Sequence, residues 1–313
     1  MSVPVFTARH VEQAVSPNRA VEAVRDAFIA HARGDWTMPP KVYVTNYPAG
    51  DFRAMPALGA GHALLKWITS FPGNPQRGLP TVTGVVLVSD AETGQLRAVL
   101  DAGSVTALRT GAAAVLAAET LARADAAAAT VIGAGVNGRA AAQTFVARGR
   151  PVSVWDVDGG RAERVARELG CGVAASLEDA LAADVVVTVT PGHELLFGEG
   201  SLRPGQHLSL MGADGPGKAE AASPELARAH LFCDDWEQAS HGGELAHAVE
   251  EGLVVQGDVT QIGEVLAGTA QGRRDDGEIT AFDSTGLAIQ DLAVALAALE
   301  RVDEIEALDR LEL

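Results

Sequence analysis

The feature that most constrains the fold is a glycine-rich turn between a short apolar segment and an Ala-rich one. Residues 129–132 (ATVI) are typical of a buried strand, and residues 139–148 have helical character. Between them Gly133, Gly135 and Gly138 form the pattern GxGxxG. In a dinucleotide site the first glycine allows the tight turn, the second admits a pyrophosphate close to the backbone, and the third lets helix and strand pack closely.

A second element of the same pattern follows at the next strand. The free N–H groups at the start of the helix, around Val136 and Asn137, are expected to bind the phosphates. The segment 151–156 (PVSVWD) then predicts a strand that ends at Asp156. A carboxylate about 20 residues beyond the turn accepts a hydrogen bond from a ribose 2′-hydroxyl. The combination favours NAD binding over an ordinary strand-to-helix turn, although Arg161 and Arg164 nearby would tolerate a phosphate.

Composition excludes several classes of function. The net charge of −17 argues against nucleic acid as a partner, since nucleic acid requires a basic patch, and it disfavours an anionic membrane surface. The apolar runs are too short to span a bilayer. The first residues, MSVPV, contain no basic region followed by a long apolar one, so we expect no export signal and a cytoplasmic protein. Cys171 and Cys233 are expected to be free thiols in a reducing compartment.

The order of predicted elements gives the fold class. After Asp156, strands alternate with helices, which predicts a Rossmann-type doubly wound parallel sheet. The N-terminal part contains a helix, several strands and a hairpin, and is expected to form a separate mixed α/β domain, which the resemblance described below makes a substrate and dimerisation domain. A final long amphipathic helix is predicted over 287–313 and is expected to return to that domain. The predicted domains are therefore 1–115 with 287–313, and 116–286.

Chemistry in a doubly wound sheet is expected at the carboxyl ends of the strands. Asp214 lies there in the glycine-rich segment 212–218 (GADGPGK), four residues before Lys218. Beside a nicotinamide its carboxylate would serve as acid and base. The alternative is an aspartate that binds its own turn backbone, with Lys218 solvated or starting a helix.

A cluster of cations in the N-terminal domain suggests an anionic substrate. The chain contains only three lysines, and one of them, Lys66, lies in the apolar segment 63–68 (ALLKWI). A buried unpaired ammonium is costly, so Lys66 is expected to face a cleft. With Lys41, Arg53 and Arg109 it would attract a carboxylate, which arginine binds through two parallel hydrogen bonds. The alternative is that Arg53 and Arg109 pair with local acids such as Asp51. The eight histidines show no metal-binding pattern, so no metal is expected.

These motifs together resemble the ornithine cyclodeaminase/mu-crystallin family over nearly the full length. The resemblance rests on the glycine-rich segments above and on the segments 38–44 (MPPKVYV), 50–56 (GDFRAMP), 66–75 (KWITSFPGNP), 78–82 (GLPTV), 108–112 (LRTGA) and 282–286 (FDSTG). It implies a Rossmann domain, a split substrate domain, a homodimer and NAD. It also implies that Asp214 is the acid/base, that Lys66 is catalytic or holds the carboxylate, and that Arg109 meets substrate and cofactor. Residues placed near the cofactor by the resemblance are Thr81, Thr188, Thr190, Ser209, Met211, Lys218 and Ser284.

One position separates branches of the family. Cyclodeaminases carry a glutamate two residues before the methionine that matches Met55, where it receives the distal amino group of ornithine, whereas this chain has Arg53. The chain is therefore most similar to the archaeal-type alanine dehydrogenase branch. We expect NAD-dependent oxidative deamination of a small L-amino acid and the reverse reductive amination. The alternatives are a cyclodeaminase or cyclic ketimine reductase, and a non-catalytic NAD(P)H-binding protein similar to mu-crystallin.

Overall fold

The chain forms two compact units in a computed structural model that describes residues 2–192, 194–215 and 217–313. Unit 1 comprises Met1–Arg109 and Leu287–Leu313, and unit 2 comprises Thr110–Gly286. The division at 109/110 and the predicted boundary at 115/116 lie in the same helix, Ala102–Leu121. Within the described residues, no helix is long and apolar enough to cross a membrane.

The elements follow one another along the chain in this order. The first part contains β1 (Ser2–Phe6), α1 (Ala8–Ala14), α2 (Pro17–Ala32), β2 (Val42–Asn46), β3 (Gly50–Gly59), β4 (His62–Ser70), β5 (Val82–Asp90), β6 (Leu96–Asp101) and α3 (Ala102–Leu121). The middle part contains β7 (Ala129–Ile132), α4 (Val136–Ala147), β8 (Val152–Trp155), α5 (Gly159–Leu169), β9 (Gly172–Val173), α6 (Leu177–Leu181), β10 (Val185–Thr188) and β11 (His207–Leu210). The last part contains α7 (Ser223–Leu226), β12 (His230–Cys233), α8 (Trp236–Gly242), α9 (Ala246–Glu250), β13 (Val259–Gln261), α10 (Ile262–Leu266), β14 (Thr280–Asp283), α11 (Ala288–Leu299) and β15 (Asp309–Glu312).

Unit 1 is built on a seven-stranded sheet in the order β15-β1-β6-β5-β4-β3-β2. Successive side chains of a strand point to opposite faces, and β4 shows this clearly. Leu64, Lys66 and Ile68 are buried, whereas Leu65 and Trp67 are each 38% exposed. Helix α11 packs against β3, β4 and β5 on the buried face. The sequence therefore directs Lys66 into the interior of the unit.

The C-terminal segment differs from the predicted long amphipathic helix. Helix α11 ends at Leu299 and is buried on nearly all sides, and the chain then forms β15, which pairs antiparallel with β1. The helix prediction over 287–313 was therefore wrong beyond Leu299. The helix ends there because the charged residues from Glu300 to Glu306 cannot continue a helix that is buried on nearly all sides.

Unit 2 is an eight-stranded parallel sheet in the order β13-β12-β14-β11-β10-β7-β8-β9, with helices between the strands. The predicted doubly wound Rossmann-type fold is confirmed. The chain runs from β7 to β8 and β9 on one side and resumes at β10 on the other. The topological switch point, where ligands bind in such sheets, therefore lies between the carboxyl ends of β7 and β10.

Candidate active site

The glycine-rich turn at the end of β7 has the geometry of a phosphate cradle. Gly133 has φ of 102°, and a Cβ there would lie 2.7 Å from the carbonyl oxygen of Val189. A Cβ at Gly138 would lie 1.7 Å from the carbonyl oxygen of Gly133. Gly135 is exposed, and a Cβ there would meet nothing within 4 Å. The first and third glycines are thus required by backbone packing, and the second leaves open space before the first turn of α4.

Asp156 joins the end of β8 to this turn. Asp156 is 8% exposed, and its Oδ2 accepts a 2.7 Å hydrogen bond from the backbone N–H of Ala134. Its Oδ1 accepts a 2.9 Å bond from the N–H of Asp158. The half-exposed Arg161 lies 3.6 Å from Oδ2. Each carboxylate oxygen keeps a second lone pair, so Asp156 stabilises the turn and retains capacity to accept a ligand hydroxyl.

Asp214 and Lys218 form an ion pair within the glycine-rich segment after β11. The Nζ of Lys218 donates to Oδ1 of Asp214 at 2.6 Å, and the two side chains are 26% and 37% exposed, respectively. Lys218 is therefore neither simply solvated nor part of a following helix. Both side chains reach solvent, so Asp214 is accessible to a substrate.

Glu220 connects this segment to the end of β10, and the sequence analysis missed it. Its side chain is fully buried and accepts hydrogen bonds from the hydroxyls of Thr188 and Thr190, each at 2.5 Å. The backbone N–H groups of Thr190 and Gly212 also donate to it, each at 3.1 Å. Burial raises the pKa of Glu220 against the opposing effect of these bonds. Glu220 therefore connects Gly212, at the start of segment 212–218, to the carboxyl end of β10 at the switch point of the sheet.

Two further carboxyls are buried in unit 2: Glu244 contacts the backbone of Glu220, and Asp283 lies near Glu244. Glu244 Oε1 accepts hydrogen bonds from the N–H groups of Glu220 and Ala221 at 2.7 and 2.6 Å, whereas its Oε2 is buried without a partner. Burial, reinforced by the charge of Glu220, raises the pKa of Glu244 to about 8. Asp283 Oδ1 is likewise buried without a partner, and burial together with nearby acids raises its pKa well above the usual range. We call Glu220, Glu244 and Asp283 the acid cluster.

The other side chains predicted to lie near the cofactor are distributed unevenly. Ser209 is buried and its hydroxyl donates to the carbonyl of Ala114, and Ser284 is buried and donates to Asp234. Met211 is 8% exposed, whereas Val136 is 72% exposed beside the phosphate cradle. The hydroxyls of Ser209 and Ser284 thus serve the interior of unit 2. Asn137 and Thr81 are half-buried, and the carbonyl of Thr81 accepts from the N–H of Phe71.

In unit 1, Lys66 is buried and has an acidic partner. Its Nζ donates to both Oδ1 and Oδ2 of Asp291, each at 2.8 Å, and to the hydroxyl of Thr106 at 3.1 Å. Arg109 is close to the same carboxylate, with Nε 3.4 Å from Oδ1 of Asp291. The sequence analysis expected Lys66 to face a cleft because it identified no partner for a buried ammonium, whereas α11 supplies an acid from the far end of the chain. We call Lys66, Thr106, Arg109 and Asp291 the lysine cluster.

Burial changes the acidity of the Lys66 ammonium. It lowers the pKa of this group from its usual 10.5 to about 8, and the charges of Arg109 and Lys41 act in the same direction. Asp291 opposes them through its charge and its hydrogen bond. A lysine balanced in this way exchanges protons readily at physiological pH.

Arg53 and Lys41 complete the basic surface of unit 1. Arg53 Nε donates to Oδ1 of the buried Asp51 at 2.6 Å, and its guanidinium carbon lies 5.2 Å from the centre of the Tyr43 ring. Arg53 thus pairs with a local acid, as in the alternative considered for it, whereas the acidic partner of Arg109 is the distant Asp291. Lys41 precedes β2, is half-buried, and is close enough to influence Lys66.

Asp291 is the residue of unit 1 that sequence reasoning missed. A signal existed, because Gln290 and Asp291 interrupt the otherwise apolar segment AIQDLAVALAAL. A carboxylate is rarely kept in such a segment unless it is paired. Its partner could not be deduced, since Lys66 and Asp291 are 225 positions apart.

Comparison with known proteins places these features in context. The model of the ornithine cyclodeaminase/mu-crystallin family matches residues 2–306. An alanine dehydrogenase from Archaeoglobus fulgidus is 43% identical over 313 aligned residues, covering 96% of this chain and 95% of the relative. The structure of an archaeal alanine dehydrogenase dimer with bound NAD superposes with a TM-score of 0.94 at 40% identity, covering 100% of both chains. The NAD+ complex of iminosuccinate reductase from Paracoccus denitrificans superposes with a TM-score of 0.91 at 30% identity, again covering 100% of both chains.

Proposed function

Because the chain belongs to the ornithine cyclodeaminase/mu-crystallin family, we propose that it is an NAD-dependent dehydrogenase of a small L-amino acid such as alanine, also active in the reverse reductive amination. The observation that carries the proposal is the buried lysine cluster. A protein that only binds a dinucleotide gains nothing from an ammonium held in its interior between an acid and a second cation, at a cost of several kcal/mol per buried ion. Proton transfer to and from a substrate is a reason to maintain it.

The residues of unit 2 fit NAD. Gly135 leaves open space at the N-terminus of α4, where N–H groups and the helix dipole favour a pyrophosphate. Asp156 would accept from the adenine ribose, and Val136 offers an exposed apolar surface beside the cradle. When bound, NAD accepts the hydride that leaves the Cα of the amino acid.

The cations of unit 1 would bind the substrate carboxylate. We assign this role to Arg109, Arg53 and Lys41, whose positive charge is only partly neutralised by Asp51 and Asp291. Arginine suits the role because its guanidinium forms two parallel bonds to a carboxylate. The pairs with Asp51 and Asp291 hold the guanidinium groups in place before the substrate arrives.

Lys66 and Asp214 would move the protons. Oxidation of the amine gives an imine, to which water adds before ammonia leaves, so one proton must be taken from the water and one given to the departing nitrogen. The carboxylate of Asp214 accepts the first proton, and the Nζ of Lys66 can hold or release a proton near neutral pH, where its pKa of about 8 places it. The products are a 2-oxo acid, ammonium and NADH.

A second candidate is reduction of an imino dicarboxylate. The observation that favours it is the number of cations in one part of unit 1, namely Lys41, Arg53, Lys66 and Arg109. A second carboxylate would neutralise more of this charge than the methyl group of alanine. The iminosuccinate reductase of Paracoccus denitrificans is similar to this chain over its whole length.

The test is formation of NADH with a panel of L-amino acids that includes alanine, aspartate and ornithine, and its consumption with the matching 2-oxo acids and ammonia. Turnover with alanine supports the proposal, turnover with aspartate favours the second candidate, and proline formation from ornithine without net NADH identifies a cyclodeaminase. Absence of turnover with every substrate in both directions removes the proposal. An Asp214→Asn variant that binds NADH but has lost turnover distinguishes an enzyme from a binding protein.

We also propose that two copies of the chain form a homodimer. Large apolar side chains lie exposed on one face of the unit 1 sheet, at Val42, Val44, Leu65, Trp67 and Val85, with Trp67 stacked on Phe52 at 5.8 Å. An exposed apolar face of this kind is typical of a protein interface. The molar mass by light scattering should be that of a dimer and should fall to that of a monomer in a Trp67→Asp variant; a monomeric wild type would contradict the proposal.

A further inference from the structure

Asp291 is buried among apolar side chains of α11 and contacts two cations. Its side chain is 0% exposed, and ten of the residues of the helix around and including it are buried. A carboxylate in such surroundings costs free energy unless its contacts compensate for the lost solvent. The compensation comes from Lys66 on β4 and from Arg109 on α3.

The contacts of Lys66 account for all three N–H bonds of its ammonium. Two go to the two oxygens of Asp291 at 2.8 Å, and the third goes to the Thr106 hydroxyl at 3.1 Å. The position of Nζ is therefore fixed rather than averaged over the rotamers of a flexible side chain. Arg109 makes a looser contact, because its Nε is buried without a hydrogen-bond partner and lies 3.4 Å from the carboxylate.

We propose that Asp291 is a positioning residue for the reaction, which holds the ammonium of Lys66 in one place and keeps it beside the guanidinium of Arg109. The role in catalysis rests on the proposed function, whereas the control of Lys66 by Asp291 does not. Without Asp291, the positive charges of Lys66 and Arg109 would lie in the same buried site without the carboxylate that compensates them. Lys66 would then lose its proton, and the guanidinium of Arg109 would lose its anchor.

The charged groups that face Lys66 come from three parts of unit 1. Asp291 comes from α11, Arg109 comes from α3, and Lys41 comes from the segment before β2. Burial lowers the pKa of Lys66 most, Arg109 and Lys41 lower it further, and Asp291 alone among the three charged groups raises it. Removing the charge of Asp291 therefore leaves only groups that favour the neutral amine.

The chain allows a direct measurement because it contains only three lysines, Lys41, Lys66 and Lys218. Full-length protein labelled with ¹³C at lysine Cε should give three signals, which Lys41→Arg and Lys218→Arg variants assign by elimination. In wild type the Lys66 signal should titrate with a midpoint of about 8. In Asp291→Asn, which preserves shape and removes the charge, the midpoint should move down by about 1–3 pH units.

Two further variants complete the test. Asp291→Glu restores the charge and should bring the midpoint back toward that of wild type. Asp51→Asn removes the other buried acid of this part of unit 1, which pairs with Arg53, and should leave the Lys66 midpoint unchanged. Turnover of Asp291→Asn, measured at saturating NAD, should fall by about 10²-fold, the scale of a small misplacement of a reacting group.

The outcomes separate this inference from the proposed function. An Asp291→Asn midpoint equal to that of wild type overturns the inference even if the enzyme deaminates alanine. If Asp291→Asn does not fold, Asp291→Glu carries the test, because its longer side chain displaces the carboxylate from Nζ, and wild-type values of both midpoint and turnover in that variant overturn a positioning role. A shifted midpoint in a protein that turns over no amino acid would leave Asp291 in control of Lys66 and remove the proposed function alone.

Discussion

The lysine cluster of unit 1 and the acid cluster of unit 2 are equally buried but stabilised in opposite ways. In unit 1, Lys66 and Asp291 are 1% and 0% exposed and remain a charged pair, because each supplies the partner that the other needs. In unit 2, burial and mutual repulsion raise the pKa values of Glu244 and Asp283, which favours the protonated form. Burial alone therefore does not decide whether a group is charged. The charge of the neighbouring groups, opposite in unit 1 and like in unit 2, decides it.

The donors that surround each cluster explain the difference. Glu244 accepts from the backbone N–H groups of Glu220 and Ala221, which are neutral dipoles. Lys66 and Arg109 offer Asp291 full positive charges, and hydrogen bonds between charged groups are roughly twice as strong as those between neutral ones. We therefore expect unit 1 to be sensitive to loss of one partner and unit 2 to be sensitive to pH.

The largest effect should come from breaking the lysine cluster. Asp291→Ala leaves Lys66 and Arg109 buried without their acid and should lower the free energy of unfolding at pH 7 by about 3–5 kcal/mol, the usual cost of removing one partner of a buried pair. Urea denaturation measures it. The loss should shrink as the pH rises through the Lys66 pKa, because the neutral amine no longer needs the acid.

A matched control replaces both partners of the pair. Lys66→Met with Asp291→Leu removes the charges together and should recover most of the stability, because well-packed apolar residues often replace a buried pair at little cost. Equal losses in the single and double variants would mean that packing around α11, and not charge, stabilises this part of unit 1.

A smaller loss is expected from the acid that pins the Asp214 segment. Both oxygens of Glu220 accept hydrogen bonds from backbone N–H groups, one from Thr190 and one from Gly212. In Glu220→Gln the amide nitrogen replaces one of these oxygens, so a donor faces one of the two backbone N–H groups. The free energy of unfolding should fall by about 1–3 kcal/mol. Glu199→Gln, at an exposed glutamate, is the control and should leave it unchanged.

The acid cluster also predicts a pH dependence of stability. The pKa of Glu244 is about 8 in the folded protein, against its usual value of 4.5, so the folded state binds more protons between these pH values. Its contribution to stability is therefore fully present below about pH 4.5 and is lost as the pH rises through 8. Asp283 and Glu220 shift in the same direction.

In Glu244→Gln the free energy of unfolding should fall less steeply as the pH rises, and it should differ little from that of wild type at pH 5. Its Oε2 has no hydrogen-bond partner, so the amide nitrogen can take that position without displacing a donor. Unfolding in urea at a series of pH values, with the exposed Glu237→Gln on α8 as control, measures the slope. An unchanged slope in Glu244→Gln would show that this carboxyl is ionised throughout.

The smallest effect is expected at a surface pair. Arg19 donates to Glu300 at 2.8 Å, but the two side chains are 39% and 59% exposed. Glu300→Gln should cost less than about 1 kcal/mol, because solvent screens an exposed pair. A cost similar to that of Asp291→Ala would contradict the importance assigned to burial in the lysine cluster.

Much of unit 2 was predictable because its signals are local. The glycine spacing, the apolar strands and Asp156 each follow from a few consecutive residues, and they fixed the fold class and the cradle. Glu220 and Glu244 were not predictable, because their roles depend on strands and loops that the sheet brings together. A glutamate in a polar stretch carries no sign that it will be buried.

Unit 1 was harder to predict from sequence. No strand was predicted over 52–56, yet Pro56 lies in the middle of β3, opposite Leu65. The sheet tolerates it because β2 pairs with β3 only as far as Ala54, so the missing N–H of Pro56 faces no strand on that side. Neither the partner of Lys66 nor the C-terminal strand β15 could be predicted from sequence. Both depend on contacts between residues that are far apart in the chain.

The most direct test of the proposed function follows the hydrogen on Cα. With L-alanine deuterated at Cα and NAD, the account predicts that the reduced cofactor gains one deuterium, detected by mass spectrometry, while unlabelled alanine in deuterated water gives none. Reduced cofactor without deuterium from labelled alanine, or no reduced cofactor from any L-amino acid in the panel, would contradict it.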